Sequence, residues 1–535
     1  MARAAVIGLD GAAWHLIDPL IEAGVMPRLA ALRDRGAWGT LRSTVPTYTP
    51  PAWTSAVTGV NPGRHGIYGF QFGNIQDEPV ELMHAGKVKA PTLWDMTRAQ
   101  GVRVGAYNIP LTYPPQPVDG WMVAGMMTPG FGERQRGFAY PAELTQRIER
   151  WAPGYVIDLS ANYETDWRDA ELCRRGLASI EQRYVVLERL LQDDPVDVVF
   201  SVMEAPDRLQ HVYYRYLDPS DELYDTAAAK RIRPEVETCF AALDRVVGLL
   251  GDWAGPDGGA IVCSDHGFTA WLVTVRTNAL LAEWGYMRTR PTARLMRTKL
   301  ARAMVPVAKR VLSRRIARQA KGHTFKAIDW SRTRAFASNI PQQGVHVNVK
   351  GRERFGIVEA AEIDAVRDEL IARFEELRGP DGKPVTDVVH KREDVLSGSE
   401  LERAPDLFPV LRDHTYELDD EIFHHERFTN VADLPRGVHH PDGIVIVAGA
   451  GVEAGGRIEG TVMDVTPTLL YQAGLDVPTG LDGEVLRGAF SPSHLDANPI
   501  TWTEPPARSG DGEDSPYSAE EEEQIEDALR GLGYL

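Results

Sequence analysis

Four short apolar segments, rich in valine and isoleucine, constrain the fold of this chain more than any other feature. They are Ala4–Leu9, Val196–Met203, Ala260–Cys263 and Ile444–Ala448. None alternates strictly between apolar and polar residues, which is typical of strands in a parallel sheet covered on both faces. Helical patterns lie between them, at Pro27–Arg35, Gln182–Leu191, Arg233–Leu250 and Ala361–Leu377. This order predicts an α/β sandwich whose central, mostly parallel sheet has helices on both faces.

Acidic residues and histidines stand at the ends of these four strands. They are Asp10 after the first strand, Asp207 and His211 after the second, Asp265 and His266 after the third, and His439 and His440 before the fourth. Ligands bind at the carboxyl ends of strands in open α/β sheets, so the first three groups are expected at one edge. The fourth group is expected in a loop that can reach that edge. Imidazole and carboxylate together favour zinc, with manganese and iron as alternatives.

Each of these groups also has an ordinary structural interpretation. Asp10 precedes a glycine and suits a turn, while Asp207 and His211, one helical turn apart, suit a surface helix. Asp265 and His266 fit a connecting loop. Four unrelated connections would not be expected to place three aspartates at strand ends together with histidines in three of the four groups, so the joint occurrence favours a metal site.

A candidate nucleophile lies at the start of a predicted short helix. Pro51 suits the first turn of a helix that ends near Thr58-Gly59, which places Thr49 at its N-terminus. The helix dipole there favours an alkoxide and a bound phosphate. Thr49 is alternatively a helix cap, a common role for threonine. Thr47 and Thr54 are rival nucleophiles, although Thr54 is expected in the middle of the helix.

Charge and cysteine content exclude several classes of protein. The formal net charge is −18, which argues against a general nucleic-acid binder. The three cysteines are far apart, which excludes a disulfide scaffold and a cysteine-based zinc site. The first predicted strand begins at Ala4 with no signal peptide ahead of it, and no window reaches the roughly 18 apolar residues of a spanning helix. These features predict a cytoplasmic protein.

Composition shifts suggest four parts. Residues 1–275 are expected to form the first part of the core, with a loop-rich stretch at about 110–180. Residues 276–330 are expected to form a basic helical insertion or lid, and residues 331–490 the second part of the core. Residues 491–535 are expected to form an acidic tail that closes in a short helix, Ile525–Leu532.

The basic segment, residues 292–321, contains ten lysines and arginines and no acidic residue. Pro306 divides it into two amphipathic patterns, each with an apolar face opposite the basic one. Such helices bind anionic membranes, so peripheral contact with the inner membrane face is one interpretation. A lid over the substrate site, or packing on an acidic patch of this chain, is the other. The pair His424-His425 is a further metal candidate or a solvated loop, and His65 is interpreted as structural.

Seven motifs follow one another along nearly the whole chain. They are Gly8-Leu-Asp10-Gly11, Pro46-Thr-Tyr-Thr49-Pro-Pro, Arg64-His65-Gly66, Asp207-Arg-Leu-Gln-His211, Ser264-Asp265-His266-Gly267, Gly437-Val-His439 and Leu529-Arg-Gly-Leu-Gly-Tyr-Leu535. With these motifs in this order, the sequence resembles the type I phosphodiesterase/nucleotide pyrophosphatase family of the alkaline phosphatase superfamily, and within it the group of predicted phosphohydrolases and phosphomutases. The combination is specific, although no single motif is.

The resemblance implies an alkaline-phosphatase-like sandwich with insertions and a site for two divalent metal ions. It implies Asp207, His211 and His439 as ligands of one ion, and Asp10, Thr49, Asp265 and His266 as ligands of the other. Thr49 would be both ligand and nucleophile, attacking phosphorus to give a phospho-threonine, which water would then hydrolyse to release the phosphate product. His440 could exchange roles with His439, although the family spacing favours His439. The implied partner is a small-molecule phosphoester.

The sequence also departs from the family pattern near the nucleophile. Tyr48 stands where the nucleotide pyrophosphatases have lysine, Ala52 where they have asparagine, and Phe70 near their phosphate-binding asparagine. Candidates for substrate binding in its place are Arg64, Gln71 and Asn74. The expected function is a metal-dependent phosphoester hydrolase, of the phosphodiesterase type. A phosphomutase or phosphotransferase, and a catalytically silent binding protein on the same fold, are the alternatives.

Overall fold

The computed structural model describes residues 2–73, 76, 80–129, 137–163, 165–290, 327–338, 344–422, 426–509, 512 and 514–534. Three sequence predictions fall outside these ranges: the basic segment 292–321, the substrate candidate Asn74, and the pair His424-His425. They stay predictions.

The described strands account for six sheets. In chain order they are β1 (Ala4–Leu9), β2 (Ala37–Arg42), β3 (Gln71–Phe72), β4 (Glu81–Leu82), β5 (Val104–Ile109), β6 (Gly120–Ala124), β7 (Ala139–Tyr140), β8 (Val198–Met203), β9 (Gly259–Cys263), β10 (Gly267–Ala270), β11 (Val273–Arg276), β12 (Ala335–Ser338), β13 (Gly344–Val347), β14 (Thr386–Lys391), β15 (Leu407–Leu411), β16 (Tyr416–Asp419), β17 (Phe428–Asn430), β18 (Gly437–His440), β19 (Asp442–Gly449), β20 (Arg457–Thr461), β21 (Val477–Pro478) and β22 (Trp502–Thr503).

The described α-helices are, in chain order, α1 (Trp14–Glu22), α2 (Pro27–Arg35), α3 (Thr49–Thr58), α4 (Pro62–His65), α5 (Leu93–Ala99), α6 (Leu144–Trp151), α7 (Glu171–Asp193), α8 (Ala205–Leu217), α9 (Ala227–Ala254), α10 (Thr277–Glu283), α11 (Ile363–Glu375), α12 (Arg392–Val395), α13 (Val465–Gln472), α14 (Pro492–Ala497) and α15 (Ala519–Gly531).

The largest sheet has nine strands in the order β20-β2-β19-β9-β1-β8-β5-β6-β7. Its centre is parallel: β1 pairs with β8 on one side and β9 on the other, and β5 continues beyond β8. Strand β19 runs antiparallel to both of its neighbours, and β7 runs antiparallel to β6. The prediction of a mostly parallel sheet is confirmed, and the four predicted apolar segments form β1, β8, β9 and β19, all in this sheet.

Two apolar cores cover the two faces of this sheet. Alternate residues of β1 belong to different cores, with Ile7 in one and Val6 in the other. Helices α2, α7, α8 and α9 contribute to the first core, and α3, α5 and α13 contribute to the second. Because each face is buried under helices, the strands carry apolar side chains without alternation. This explains the sequence pattern from which the sandwich was predicted.

A separate apolar core lies under a smaller antiparallel sheet with the order β12-β13-β15-β14. Helices α10 and α11 pack on it. A three-stranded sheet, β16-β11-β17, packs on the same core through Val275, Leu418 and Phe428. These elements come from chain between β9 and β19, which places them as an insertion on the carboxyl-end side of the central strands.

The stretch predicted to be loop-rich and the tail predicted to close in a short helix both contain more regular structure than the sequence suggested. The stretch at about 110–180 supplies β6 and β7 to the edge of the main sheet, together with α6 and the start of α7. The tail helix α15 begins six residues earlier than the apolar pattern suggested, because Ser518 caps it and Glu521 completes the capping box. Within the described ranges, no helix has the length and apolar character needed to cross a membrane.

Candidate metal centre

Three neighbouring strands of the main sheet end at the candidate site. Asp10 directly follows β1, Asp265 lies two residues after β9, and Asp207 lies in the first turn of α8, which follows β8. Because these three strands are adjacent and parallel, their carboxyl ends meet at one edge. The structure therefore brings together three aspartates that are far apart in the sequence, and all three are buried.

His439 reaches the same place from a strand. The sequence suggested a loop here, but residues Gly437–His440 form β18, which pairs antiparallel with β10 so that His439 faces Phe268. Pairing with β10 is available because β10 follows directly after the Asp265-His266 turn. Adjacent residues of a strand point to opposite faces, so His440 turns away and its Nε2 lies 3.2 Å from Asp413. His439, and not His440, lies at the site.

The first group of side chains comprises Asp207, His211 and His439, and is called the Asp207 group. The Nε2 atoms of His211 and His439 each lie 3.3 Å from Oδ1 of Asp207. The two Nε2 atoms are 2.9 Å apart. Asp207 and His211 lie on one face of α8, as their spacing predicted.

The second group comprises Asp10, Thr49, Asp265 and His266, and is called the Asp10 group. Nε2 of His266 lies 3.3 Å from Asp265 Oδ2, 3.7 Å from Asp10 Oδ1 and 3.4 Å from Thr49 Oγ1. It also lies 4.0 Å from Asp207 Oδ1, and its ring stacks on that of His439 at 3.7 Å. The two groups are therefore adjacent, with His266 at their boundary.

Each of the three histidines turns its Nε2 atom toward the carboxylates and its Nδ1 atom toward a backbone carbonyl. Nδ1 of His211 lies 3.2 Å from Gly437 O, Nδ1 of His439 lies 3.0 Å from Thr47 O, and Nδ1 of His266 lies 3.1 Å from Gly267 O. A carbonyl oxygen can only accept, so in the neutral imidazoles Nδ1 carries the proton and Nε2 a lone pair. The backbone thus orients all three rings as metal-binding histidines are oriented.

The carboxylate oxygens of the Asp10 group accept few hydrogen bonds. Asp10 accepts from Trp53 Nε1 at 3.0 Å and Asp265 accepts from Gly11 N at 3.1 Å, while Asp10 Oδ1 and Asp265 Oδ2 have no hydrogen-bond partner. Burial, together with repulsion from Asp265 and Asp207, raises the pKa of Asp10 well above its ordinary value. Burial and the charge of Asp207 raise the pKa of Asp265 to about 7. Buried oxygens of this kind are suited to a bound cation.

Asp207 has a cationic partner. Arg208 donates from Nη1 to Asp207 Oδ2 at 2.5 Å, and its Nη2 lies 3.1 Å from Asp158. Burial acts to raise the pKa of Asp207, but His211, His439 and Arg208 together hold it well below its ordinary value. Asp207 is therefore ionised in the folded protein, with Oδ1 directed toward the imidazoles.

Thr49 is the first residue of α3 and is buried. Pro50 and Pro51 have no N–H, so among the first three residues of the helix only Thr49 offers a backbone donor. The rival Thr47 donates its hydroxyl to Thr44 O at 3.0 Å, and the rival Thr54 lies in the middle of the helix. Of the three threonines, Thr49 is the one whose hydroxyl contacts a histidine of the site.

The remaining candidates make contacts of other kinds. Arg64 donates to Gly480 O and to Asp482, and Gln71 lies in the short strand β3, so their role in substrate binding stays a prediction. His65 is fully buried, with Nε2 2.9 Å from Ser55 Oγ, and burial lowers its pKa to about 3. These contacts are those of a structural histidine.

Sequence reasoning missed several residues that shape the site. Trp53 and Arg208 bind the carboxylates, Tyr163 stacks on the His211 ring at 4.5 Å, and Tyr534 places its hydroxyl 3.2 Å from His211 Nε2. Trp53 follows Thr49 by one helical turn, and Arg208 is adjacent to Asp207. Their positions in the sequence could therefore have indicated that both residues lie near the site. Tyr163 carries no local signal, and Tyr534 stands in the terminal Leu529–Leu535 motif to which no site role was given, so only the fold shows that both side chains reach the site.

Solved structures of other proteins share this fold. Phosphonoacetate hydrolase from Sinorhizobium meliloti, solved in complex with phosphonoacetate, matches with a TM-score of 0.55 at 18% sequence identity. The match covers 88% of this chain and 96% of that one. Murine ectonucleotide pyrophosphatase/phosphodiesterase 5, solved in an inactive form with AMP, matches with a TM-score of 0.50 at 14% identity, over 92% of this chain and 100% of that one. At such identities the likeness concerns the fold.

The family assignment comes from the sequence. Residues 4–424 match the profile of type I phosphodiesterase/nucleotide pyrophosphatase. This range contains six of the seven side chains of the two groups, and His439 follows it closely. The chain therefore belongs to the type I phosphodiesterase/nucleotide pyrophosphatase family, and it is a hydrolase of phosphoric esters.

Proposed function

We propose that this hydrolase uses Thr49 as a nucleophile at a site for two divalent metal ions, with a phospho-threonine intermediate. The observation that carries the proposal is the convergence of acceptors. Three imidazole Nε2 atoms, three buried carboxylates and the Thr49 hydroxyl face one another, and each imidazole directs its Nδ1 atom away to a backbone carbonyl. The donor set of imidazole and carboxylate fits zinc, with manganese as the alternative.

The two groups divide the ligands. Asp207, His211 and His439 would hold one ion, and Asp10, Thr49, Asp265 and His266 would hold the other. When bound, the ions would lower the pKa of the Thr49 hydroxyl and neutralise charge on the attacking and leaving oxygens.

The chain's own residues supply the nucleophile and its position. Helix α3 fixes Thr49 beside His266, and the three backbone carbonyls hold the imidazoles in one orientation. Thr49 Oγ1 loses its proton to solvent and attacks phosphorus, and the ester oxygen departs and takes up a proton as an alcohol. Water then attacks the phosphorus of phospho-threonine, which restores the Thr49 hydroxyl and releases the phosphate product.

Phosphodiesters are the proposed substrate class, since they are the class for which the family is named. Transfer of the phosphoryl group to an acceptor alcohol in place of water is the phosphomutase or phosphotransferase alternative. Product analysis with added alcohols separates the two, because transfer yields a new ester and hydrolysis does not.

Replacement of the nucleophile tests the proposal. We expect Thr49→Ala to lower turnover of phosphate mono- and diesters by at least about 10³-fold, since nucleophile removal eliminates the covalent route. Zinc content, measured by elemental analysis, should change little because six ligands remain. Thr54→Ala, in the same helix, is the control and should keep its activity. Full activity of Thr49→Ala would remove Thr49 from the mechanism, and purified wild-type protein without metal or turnover would favour a binding protein.

A further inference from the structure

The tail helix α15 is packed into the main core of the protein. Ile525, Leu529 and Leu532 are buried there together with residues of the sheet. Ahead of the helix, Tyr517 donates its hydroxyl to Met127 O at 2.9 Å and stacks on Tyr113. The tail is thus an integral part of the core next to the metal centre.

The chain after α15 turns toward the metal centre. Gly533 has φ of +74°, a left-handed conformation that glycine adopts without a steric penalty. Tyr534 N donates to Leu529 O at 2.9 Å, and Tyr163 N donates to Gly531 O at 3.2 Å. These bonds fix the register of the turn, so the direction of the Tyr534 side chain is set by the backbone.

The Tyr534 side chain ends at the Asp207 group. Its ring stacks on Phe70 at 4.6 Å, its hydroxyl lies 3.2 Å from His211 Nε2, and only 5% of the residue is exposed. That nitrogen carries the lone pair that faces Asp207. A metal ion held by His211 would bind to this lone pair. The Tyr534 hydroxyl would then lie close to a substrate oxygen atom bound beside His211.

Tyr534 and Thr49 approach the centre from different groups. Thr49 contacts His266 in the Asp10 group, whereas Tyr534 contacts His211 in the Asp207 group. An in-line displacement places the attacking and leaving oxygens on opposite sides of phosphorus. If Thr49 attacks phosphorus from the Asp10 group, the departing oxygen points toward the Asp207 group, where the Tyr534 hydroxyl lies.

We propose that Tyr534 is a further catalytic residue, whose hydroxyl donates a hydrogen bond to the oxygen that leaves phosphorus and to the water that replaces it. The inference rests on the proposed function of Thr49. It assigns to the tail segment, residues 514–534, a direct part in the active site. It also gives a chemical preference, because such a donor matters most for esters of poorly leaving alcohols.

The first measurement uses the leaving group. For metal-loaded Tyr534→Phe, which keeps the ring on Phe70, we expect kcat/KM to fall about 10-fold or more for an alkyl phosphodiester. For the p-nitrophenyl ester the fall should be under about 3-fold, since that oxygen needs little stabilisation. Tyr517→Phe, which removes a tail hydroxyl that binds backbone carbonyls, is the control and should show no dependence on leaving group. Equal losses for both esters in Tyr534→Phe would overturn the proposal.

The second measurement does not depend on turnover. In the zinc-loaded Thr49→Ala background, binding of inorganic phosphate is measured by calorimetry with and without Tyr534→Phe. We expect about 5–10-fold weaker binding without the hydroxyl and unchanged zinc content. Unchanged phosphate affinity would contradict the proposal. A rise in kcat/KM for Tyr534→Ala would also contradict it, because it would show that the Tyr534 side chain blocks the site. Full turnover of Thr49→Ala would refute the nucleophile, while the phosphate measurement would still report on Tyr534.

Discussion

The Asp207 group and the Asp10 group contain the same kinds of ligand but are stabilised differently. Asp207 is paired with the guanidinium of Arg208, whereas Asp10 accepts from the neutral donor Trp53 Nε1–H and Asp265 accepts from the neutral donor Gly11 N–H. The pKa of Asp207 is lowered, and those of Asp10 and Asp265 are raised. Asp207 is therefore ionised before any cation arrives, whereas a cation would favour the ionisation of Asp10 and Asp265, whose pKa values are raised.

This difference implies an order of metal binding. A ligand set that is already ionised and oriented loses little free energy on binding a cation, while a set that must release protons binds more weakly at neutral pH. The Asp207 group should fill first. A first cation there would also lower the repulsion that Asp207 exerts on Asp265 and Asp10.

The largest expected effect comes from removing the ionised carboxylate. Asp207→Asn removes a direct ligand, so it should weaken the tighter phase of zinc binding by more than about 100-fold. Loss of a group that only hydrogen-bonds to a ligand costs up to about 100-fold. Asp265→Asn should remove the weaker phase and leave the tighter one. The measurement is calorimetric titration of the metal-free protein, with Asp158→Asn, which removes another carboxylate from Arg208, as control. If Asp265→Asn instead removed the tighter phase, the order would be reversed.

Lowering the pH should weaken zinc binding more at the Asp10 group than at the Asp207 group, which is the second largest effect expected. Below pH 7, Asp10 and Asp265 hold protons that zinc must displace, because their pKa values are raised, so affinity of the Asp10 group should fall up to about 100-fold per pH unit. On binding zinc, the Asp207 group releases at most the proton of His439, whose pKa Asp207 raises against the effect of burial. The zinc affinity of this group should therefore fall at most about 10-fold per pH unit. Titrations at pH 6 and 7 in buffers of different ionisation enthalpy count the protons released. Equal proton release from both phases would contradict the comparison.

The smallest expected effect concerns the neutral donor to Asp10. Trp53→Phe removes the indole N–H from Asp10 Oδ2 and should weaken the looser zinc phase about 10-fold without changing the tighter one. Trp94→Phe is a matched control, since Trp94 is buried on the same face of the sheet and donates to Gln116. Equal weakening of both phases by Trp53→Phe would indicate a general loss of packing.

Much of the fold was predictable because it depends on local patterns. Ala4–Leu9 and Pro27–Arg35 have the same bounds in the structure as in the sequence prediction. A strand buried on both faces needs a continuous apolar run, and this run is visible in any single sequence. The position of His439 was predicted less well, since its strand exists only through pairing with β10, which is distant in the sequence.

The sequence by itself determined which residue types stand at the strand ends, and thereby the chemistry of the site. The spacing of Asp207 and His211 and the place of Thr49 beside two prolines are local, so they follow from the sequence. Only the tertiary structure decided which carboxylates are ionised, because a pKa depends on burial and on charges brought close by folding. It also decided that Tyr534 meets His211 across 323 residues of chain, a contact that no periodicity encodes.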